Sequence, residues 1–362
     1  MSKIISVGTA LPAYKHRQQD ILQFMLKAHG GLADNRRKIE WLYTHSGIET
    51  RYSVIPDYSL PAERRTFYPQ TADMEPFPSL EMRLEWYRHH ALPLSVQAIE
   101  NCICHHVDRS AITHLITVSC TGMTAPGLDI QILQEMKLCT GLYRTSVNFM
   151  GCYAALHALK AADAICRSDG GAMVMIVCTE LCTLHFQKGN DMNSITSALL
   201  FGDGAAAALV AGDRFHERGL RLAGFCSEVD FEGAQDMAWS ISGKGFLMTL
   251  SAYVPKLIRA NIGDLLTKTL TAYSMKKNEI MYWAVHPGGK KILQTVQQEL
   301  SLCDDDLQYS YDVLNKFGNM SSPTILFVLK EIIERVKWDR KEKIFASAFG
   351  PGLTLETAIL QT

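Results

Sequence analysis

Along this chain, short apolar runs alternate with longer stretches in which apolar residues recur every three or four positions. In the first half, His114 to Ser119 predicts a strand, and a Gly/Pro turn then leads to a helical pattern from Leu128 to Leu138. A strand over Thr145 to Phe149, a long helix over Cys152 to Cys166 and an apolar strand over Ala172 to Cys178 follow. Leu199 to Gly204 and then Ala205 to Val210 read as apolar strand, Gly turn and apolar strand, which predicts a hairpin.

The second half follows a similar plan. It opens at Leu220 to Cys226 and reaches a strand at Met281 to Val285, followed by His-Pro-Gly-Gly and a helix over Lys290 to Leu300. A helix from Pro323 to Val336 precedes Ile344 to Phe349, a Gly-Pro-Gly turn and Leu353 to Leu360, a second predicted hairpin. Strands alternating with helices imply βαβ units and a largely parallel sheet. Two such units in tandem predict an α/β fold of five layers, α-β-α-β-α, with residues 1–215 and 216–362 as its duplicated halves. The polar stretch Gly212 to Gly219 is the natural boundary between them. Asp57 to Pro78, rich in Pro, Tyr, Arg and Glu and without a sustained period, predicts an irregular excursion over the surface.

Composition narrows the class. Hydrophobic residues make up 47% and charged residues 20% of 362 positions, the balance of a globular protein. A formal net charge of −1 provides no field for nucleic acid or an anionic membrane. The N-terminus lacks the charged and apolar regions of a signal peptide, and no apolar run approaches the roughly 20 residues needed to span a bilayer. Ten cysteines in a chain of this length, several in strand-like apolar segments, argue against a disulfide framework. A cytoplasmic location is expected.

The chemistry points to three residues. In Asn148-Phe149-Met150-Gly151-Cys152-Tyr153, a strand pattern ends at Gly151 and a helix pattern starts at Cys152. A thiol at a helix start feels the positive end of the dipole and unpaired N–H groups, which favour the thiolate. Against this stands the commoner fate of a cysteine, burial as an inert apolar group. His286 ends the strand before Pro287-Gly288-Gly289, where a side chain can enter the crevice at a strand's carboxyl end, or sit as a satisfied loop histidine. Asn319, ahead of the helix that starts at Pro323, reads equally as a helix cap. Together the three suggest a cysteine nucleophile, a thiolate–imidazolium pair and an amide donor for an oxyanion.

Gly151-Cys152-Tyr153-Ala154-Ala155, Leu200-Phe201-Gly202-Asp203-Gly204, His286-Pro287-Gly288-Gly289, Gly318-Asn319-Met320-Ser321-Ser322 and Phe349-Gly350-Pro351-Gly352-Leu353-Thr354 resemble the motif series of the chalcone synthase-like, type III polyketide synthases, in that family's order and spacing. The likeness runs from about Ile4 to Leu360. It implies the thiolase fold, a homodimer, and catalysis by Cys152, His286 and Asn319. In that scheme Cys152 takes an acyl group from a coenzyme A thioester, or from a carrier protein. His286 and Asn319 then stabilise the enolate formed when malonyl-CoA loses carbon dioxide, and the polyketone finally cyclises. No metal or redox cofactor is implied.

The resemblance also implies that Phe201 gates the coenzyme A channel and that Gly350, Pro351 and Gly352 shape the cavity. Cys120, Cys182, His185 and Met248 fall at cavity positions where plant members carry other residues, so a chalcone-type product is not implied. Among residues expected to hold coenzyme A, Lys38 and Gly288 match, whereas Trp41 and His45 stand where basic residues are expected. Lys291, with Lys290, would compensate. Cys102, Cys104, His105 and His106 mimic a metal cluster, but the C-x-C-H-H spacing does not present four ligands to one ion. Two other readings compete: a single-extension condensing enzyme of the ketoacyl-ACP synthase III type, and a non-catalytic scaffold of the same fold.

Overall fold

A computed structural model describes residues 2–28, 36–103, 107–189 and 191–362. The first half runs β1 (Lys3–Ala10), β2 (Tyr14–Arg17), α1 (Gln18–Ala28), α2 (Arg36–His45), β3 (Thr50–Ser53) and α3 (Leu80–Ile103). It continues through β4 (His114–Ser119), α4 (Leu128–Glu135), β5 (Tyr143–Asn148), α5 (Ala154–Ser168), β6 (Met173–Leu181), α6 (Met192–Leu200) and β7 (Asp203–Ala211). The second half has β8 (Leu220–Val229), β9 (Met237–Ser242), β10 (Gly245–Leu250), α7 (Val254–Ala272) and β11 (Ile280–Val285). It ends with α8 (Lys290–Glu299), α9 (Gln308–Phe317), α10 (Thr324–Ile333), β12 (Lys343–Gly350) and β13 (Thr354–Gln361).

The strand order is β11-β12-β13-β8-β1-β7-β6-β4-β5. The two halves repeat one plan: β4 is parallel to β6, β6 antiparallel to β7 and β7 antiparallel to β1, as β11 is to β12, β12 to β13 and β13 to β8. Within the large sheet, the halves meet where Lys3 and Ile4 of β1 pair with Arg221 and Leu220 of β8. The sheet is therefore mixed, not largely parallel, because β7 and β13 each fold back on the strand before them.

Two central helices explain the layering. α5 packs on β4, β6 and β7 of the first half and on β13 of the second, while α10 packs on β11 and also on β1 and β7. Ala154, Ala155, Ala158 and Ala162 line the buried face of α5, so the sheets approach closely on both sides. α3 covers the outer face of the first sheet, and α7, backed by α8, covers the second. The result is α-β-α-β-α. No helix among the described residues is long and apolar enough to cross a membrane.

Two expectations are corrected. The predicted hairpin around Gly202 is a helix and a strand: α6 ends at Leu200, and β7 pairs instead with β6 and β1. An apolar run this short shows no period of its own, so it does not distinguish strand from helix. The segment Asp57 to Pro78 is irregular but not superficial, since Tyr58, Phe67, Tyr68 and Met74 are buried. The buried Asp57 carboxylate accepts from the backbone N–H groups of Thr66, Phe67 and Tyr68 and so holds this segment without regular structure.

Candidate active site

The nucleophile position depends on a glycine. Gly151 has φ +76°, and a Cβ built there would lie 2.4 Å from Cδ of Pro351, so no larger residue fits between the turn and that loop. Phe149 is also left-handed, at φ +58°. This strained strand-to-helix turn places Cys152 on a 3-10 turn just before α5. The Gly151 N–H donates to Cys120 Sγ at 3.0 Å.

Cys152 Sγ lies 3.7 Å from Ser321 Oγ, and 3.8 and 3.9 Å from Oδ1 and Nδ2 of Asn319. The Asn319 amide is oriented on both sides. Its Oδ1 accepts from Ser321 N–H at 2.8 Å, and its Nδ2 donates to the Gly288 carbonyl at 3.3 Å. Its side chain caps no helix, which removes the capping reading. Ser321, left-handed at φ +59°, turns its N–H back to Asn319. The Asn319 backbone also exchanges hydrogen bonds with Leu200 and Gly202, both at 2.9 Å, which ties it to the segment carrying Phe201.

His286 follows β11 and stays in its ladder, its N–H donating to the Ser347 carbonyl at 2.8 Å. The ring is 1% exposed, and neither nitrogen has a partner. An unpaired, fully buried imidazole in a cavity is available to a ligand.

Burial governs the charges. It pushes the Cys152 thiol up to about 12, against the opposing pull of Ser321 and Asn319, and the His286 imidazole down to about 3. Each group taken singly is neutral, and the thiol faces Asn319 and Ser321. The start of α5 favours the thiolate, and burial of the sulfur opposes it.

These groups open on one cavity of about 790 Å³, lined also by Phe201, Cys120, Cys182, His185, Met248, Gly288 and Pro351. His185 is a fixed wall. Its Nε2 meets the Thr121 carbonyl at 2.7 Å, its Nδ1 accepts from Phe246 N–H at 3.2 Å, and its ring stacks on Phe246 at 4.3 Å. Gly350 and Gly352 do not line the cavity. Gly350 gives way to the Tyr153 ring, which would sit 2.5 Å from a Cβ there, and Gly352, at φ +90°, makes the turn. Lys38 and Lys291 are exposed and lie outside the lining. The stem of Lys290 packs 3.2 Å from the Cβ position of Gly47, beyond the end of α2, where Trp41 stacks on His45 at 4.6 Å. Of the suggested metal cluster, Cys104, His105 and His106 lie outside the described residues.

Sequence reasoning passed over Glu180. Fully buried, it accepts from Cys120 N–H (2.9 Å), Thr121 O–H (2.8 Å) and Ser322 O–H (2.8 Å), and burial raises its carboxyl to about 7. A lone carboxylate in a strand buried at all nine positions was the available signal. Trp239, whose indole N–H donates to the Cys120 carbonyl at 2.7 Å, was also missed.

Comparison with known proteins agrees with this geometry. Residues 1–214 match the family described as chalcone and stilbene synthases, N-terminal domain, and residues 228–362 match the C-terminal domain of the same family. The chain is 30% identical to the alpha-pyrone synthesis polyketide synthase-like Pks18 of Mycobacterium tuberculosis, over 89% of this chain and 81% of that one. It is 27% identical to the 3,5-dihydroxyphenylacetyl-CoA synthase of Streptomyces toyocaensis, over 99% of this chain and 90% of that one. The crystal structure of PKS-I from the brown alga Ectocarpus siliculosus superimposes with a TM-score of 0.92 at 28% identity, covering 100% of this chain and 98% of that one.

Proposed function

The chain belongs to the chalcone and stilbene synthase family and is a type III polyketide synthase, an acyltransferase, and from that premise we propose that it extends an acyl-CoA starter on Cys152 with malonyl-CoA. What supports this reading above all is the convergence of Cys152, His286 and Asn319, 134 and 33 positions apart in sequence, on a single cavity.

The geometry supports the following steps. The Cys152 sulfur attacks the thioester carbonyl of the starter; coenzyme A leaves, and the thiol proton passes to it. The Asn319 Nδ2 and a protonated or N–H-bearing edge of His286 then face the carbonyl oxygen of the malonyl thioester. As the carboxylate departs as carbon dioxide, the electron pair moves onto that oxygen, where fixed donors in a dry site stabilise it. The enolate carbon attacks the Cys152 thioester and re-forms coenzyme A-bound product, one ketide longer. Each cycle frees the sulfur for the returning chain, and cyclisation ends the sequence. Phe201, backbone-paired to Asn319, would keep water from the acyl-sulfur bond. Gly288, whose carbonyl takes up the Asn319 amide, would bound the pantetheine path, with Lys38 and Lys291 meeting the phosphates outside.

A homodimer is part of the proposal. β5 is the open edge of the large sheet, and its residues are mostly exposed. Tyr143 of β5 and Ile130 of α4, which packs on β5, at 72% and 40% exposure, add apolar surface on that side. An edge of that kind calls for a cover, and a second copy supplies one. Operation in the cytoplasm fits a coenzyme A-dependent reaction.

The test is direct. Purified protein is incubated with malonyl-CoA and a set of acyl-CoA starters, and both protein and products are weighed. An acyl adduct on Cys152 together with products of two or more extensions is expected. Products of one extension only would favour the ketoacyl-ACP synthase III-type reading, and no adduct with no carbon dioxide release would favour the scaffold.

A further inference from the structure

The end of α6 draws its hydrogen bonds from distant parts of the chain. The last carbonyls of a helix have no partner within it. Here the Ser197 carbonyl takes the Phe201 N–H at 3.1 Å, and the Leu200 carbonyl takes the Asn319 N–H at 2.9 Å. Two side chains meet the others. Arg51 of β3 donates through Nη1 to the Ala198 carbonyl at 2.7 Å and also to the Phe201 carbonyl. Gln18, the first residue of α1, donates through Nε2 to the Leu199 carbonyl at 2.9 Å. The pair is locked together, since Arg51 Nε donates to Gln18 Oε1 at 2.9 Å.

Arg51 is buried, and among the described residues no carboxylate pairs with its guanidinium. Carbonyl dipoles at the negative end of α6 face its charge instead. Nη2 is left without a partner, as is the Tyr43 hydroxyl near it. A buried cation held in this way costs stability, so stability alone does not account for it. The arginine stem also supports the segment that carries Asn319. A Cβ on Gly318, at φ +67°, would lie 2.9 Å from Arg51 Cδ and 2.8 Å from the Leu200 carbonyl oxygen. Arg51 thus packs against the backbone bridge between Phe201 and Asn319, two residues that line the cavity.

We infer that Arg51 is a positioning residue for decarboxylation: by holding the Ala198 and Phe201 carbonyls it fixes the gate phenylalanine and, through the bridge, the Asn319 amide against the malonyl thioester. The inference rests on the proposed roles of Phe201 and Asn319. It separates two functions of the site. The Cys152 sulfur is placed by a turn that Gly151 and Pro351 fix, so its reactivity does not depend on Arg51. Loss of carbon dioxide needs an amide donor held to within about an ångström, and that donor does depend on Arg51. Loosening the end of α6 therefore slows decarboxylation and spares the sulfur.

The experiment compares the purified full chain with Arg51→Lys, in which one ammonium replaces the planar fork and cannot hold two carbonyls and Gln18 at once. It reads carbon dioxide release from malonyl-CoA, as kcat and KM, and the rate at which iodoacetamide alkylates Cys152. Expected is a fall of about 10- to 100-fold in kcat for carbon dioxide release, with KM and the alkylation rate each within about three-fold of the parent. Gln18→Leu, which keeps Arg51 and frees the Leu199 carbonyl, is the milder second variant. The same split is expected there at about three- to ten-fold, and it decides the matter where Arg51→Lys does not fold. Equal falls in alkylation and carbon dioxide release, or release at the parent rate from the folded variants, overturn the inference and leave the proposed function standing. A parent protein that releases no carbon dioxide from malonyl-CoA overturns both.

Discussion

Replacing Glu180 with glutamine should make the protein's stability less sensitive to alkaline conditions. The carboxyl is fully buried, and burial holds it at about 7 in the folded chain against an ordinary value of 4.5. Between those values the folded state keeps a proton that the unfolded state has lost. Stability therefore falls as pH rises through that window and stays reduced above it. At roughly 1.4 kcal/mol per pH unit, the interval is worth on the order of 3 kcal/mol. Glutamine fits the same cradle: its carbonyl takes the place of Oε2 before Cys120 N–H and Thr121 O–H, and its amide donates to the Ser322 hydroxyl, which turns to accept. The assay is urea unfolding of both proteins at about pH 5 and about pH 8. The variant should gain on the parent by up to about 3 kcal/mol between the two conditions. Asp203, raised to about 6 by burial, titrates in both proteins and cancels. The Glu180 charge also raises the Cys152 thiol, so iodoacetamide should alkylate Cys152 faster in the variant under alkaline conditions. A stability difference that is the same at both pH values would refute the reasoning, because it would mean that the carboxyl carries its charge throughout.

Other substitutions probe the site itself. Cys152→Ala should yield no condensation product while leaving some malonyl-CoA decarboxylation, measured as carbon dioxide release; His286→Ala should lower both, by about 10²- to 10³-fold. Gly151→Ala should destabilise the nucleophile turn by at least about 2 kcal/mol, seen in thermal unfolding, because alanine resists the left-handed backbone and its Cβ meets the Pro351 ring. Trp239→Ala removes the hydrogen bond to the Cys120 carbonyl and opens the wall beside His185, so product masses should shift toward more extensions.

How much of this was legible in the sequence follows the range of the forces involved. Strands and helices set by local periodicity appear nearly where the pattern put them: His114–Ser119 matches residue for residue, and the C-terminal hairpin and both central helices stand within a few positions. The reactive turn was legible because it needs a residue without a Cβ, and Gly151 supplies it. Leu199 to Phe201 misled because three apolar residues carry no period. α6 becomes a helix through Asp191, whose carboxylate takes the Ser194 N–H, a capping signal that lay upstream of the run being read.

What the pattern could not carry is burial produced by distant parts of the chain. Asp57 looks like the start of a surface loop until its carboxylate is seen to collect three backbone N–H groups, which lets an aperiodic, charged segment pack Tyr58 and Tyr68 inward and wall a cavity. The protonation of the nucleophile is decided in the same way. Locally, Cys152 sits where a helix terminus favours the anion, a short-range effect worth about 1 kcal/mol or less. The opposing desolvation comes from burial of the sulfur in the folded chain, and pushes the thiol up to about 12 against the hydrogen bonds of Ser321 and Asn319, which lower it. For the sulfur taken without a charged partner, burial therefore opposes the thiolate that the helix start favours, and a partner charge or an arriving substrate must tip that balance.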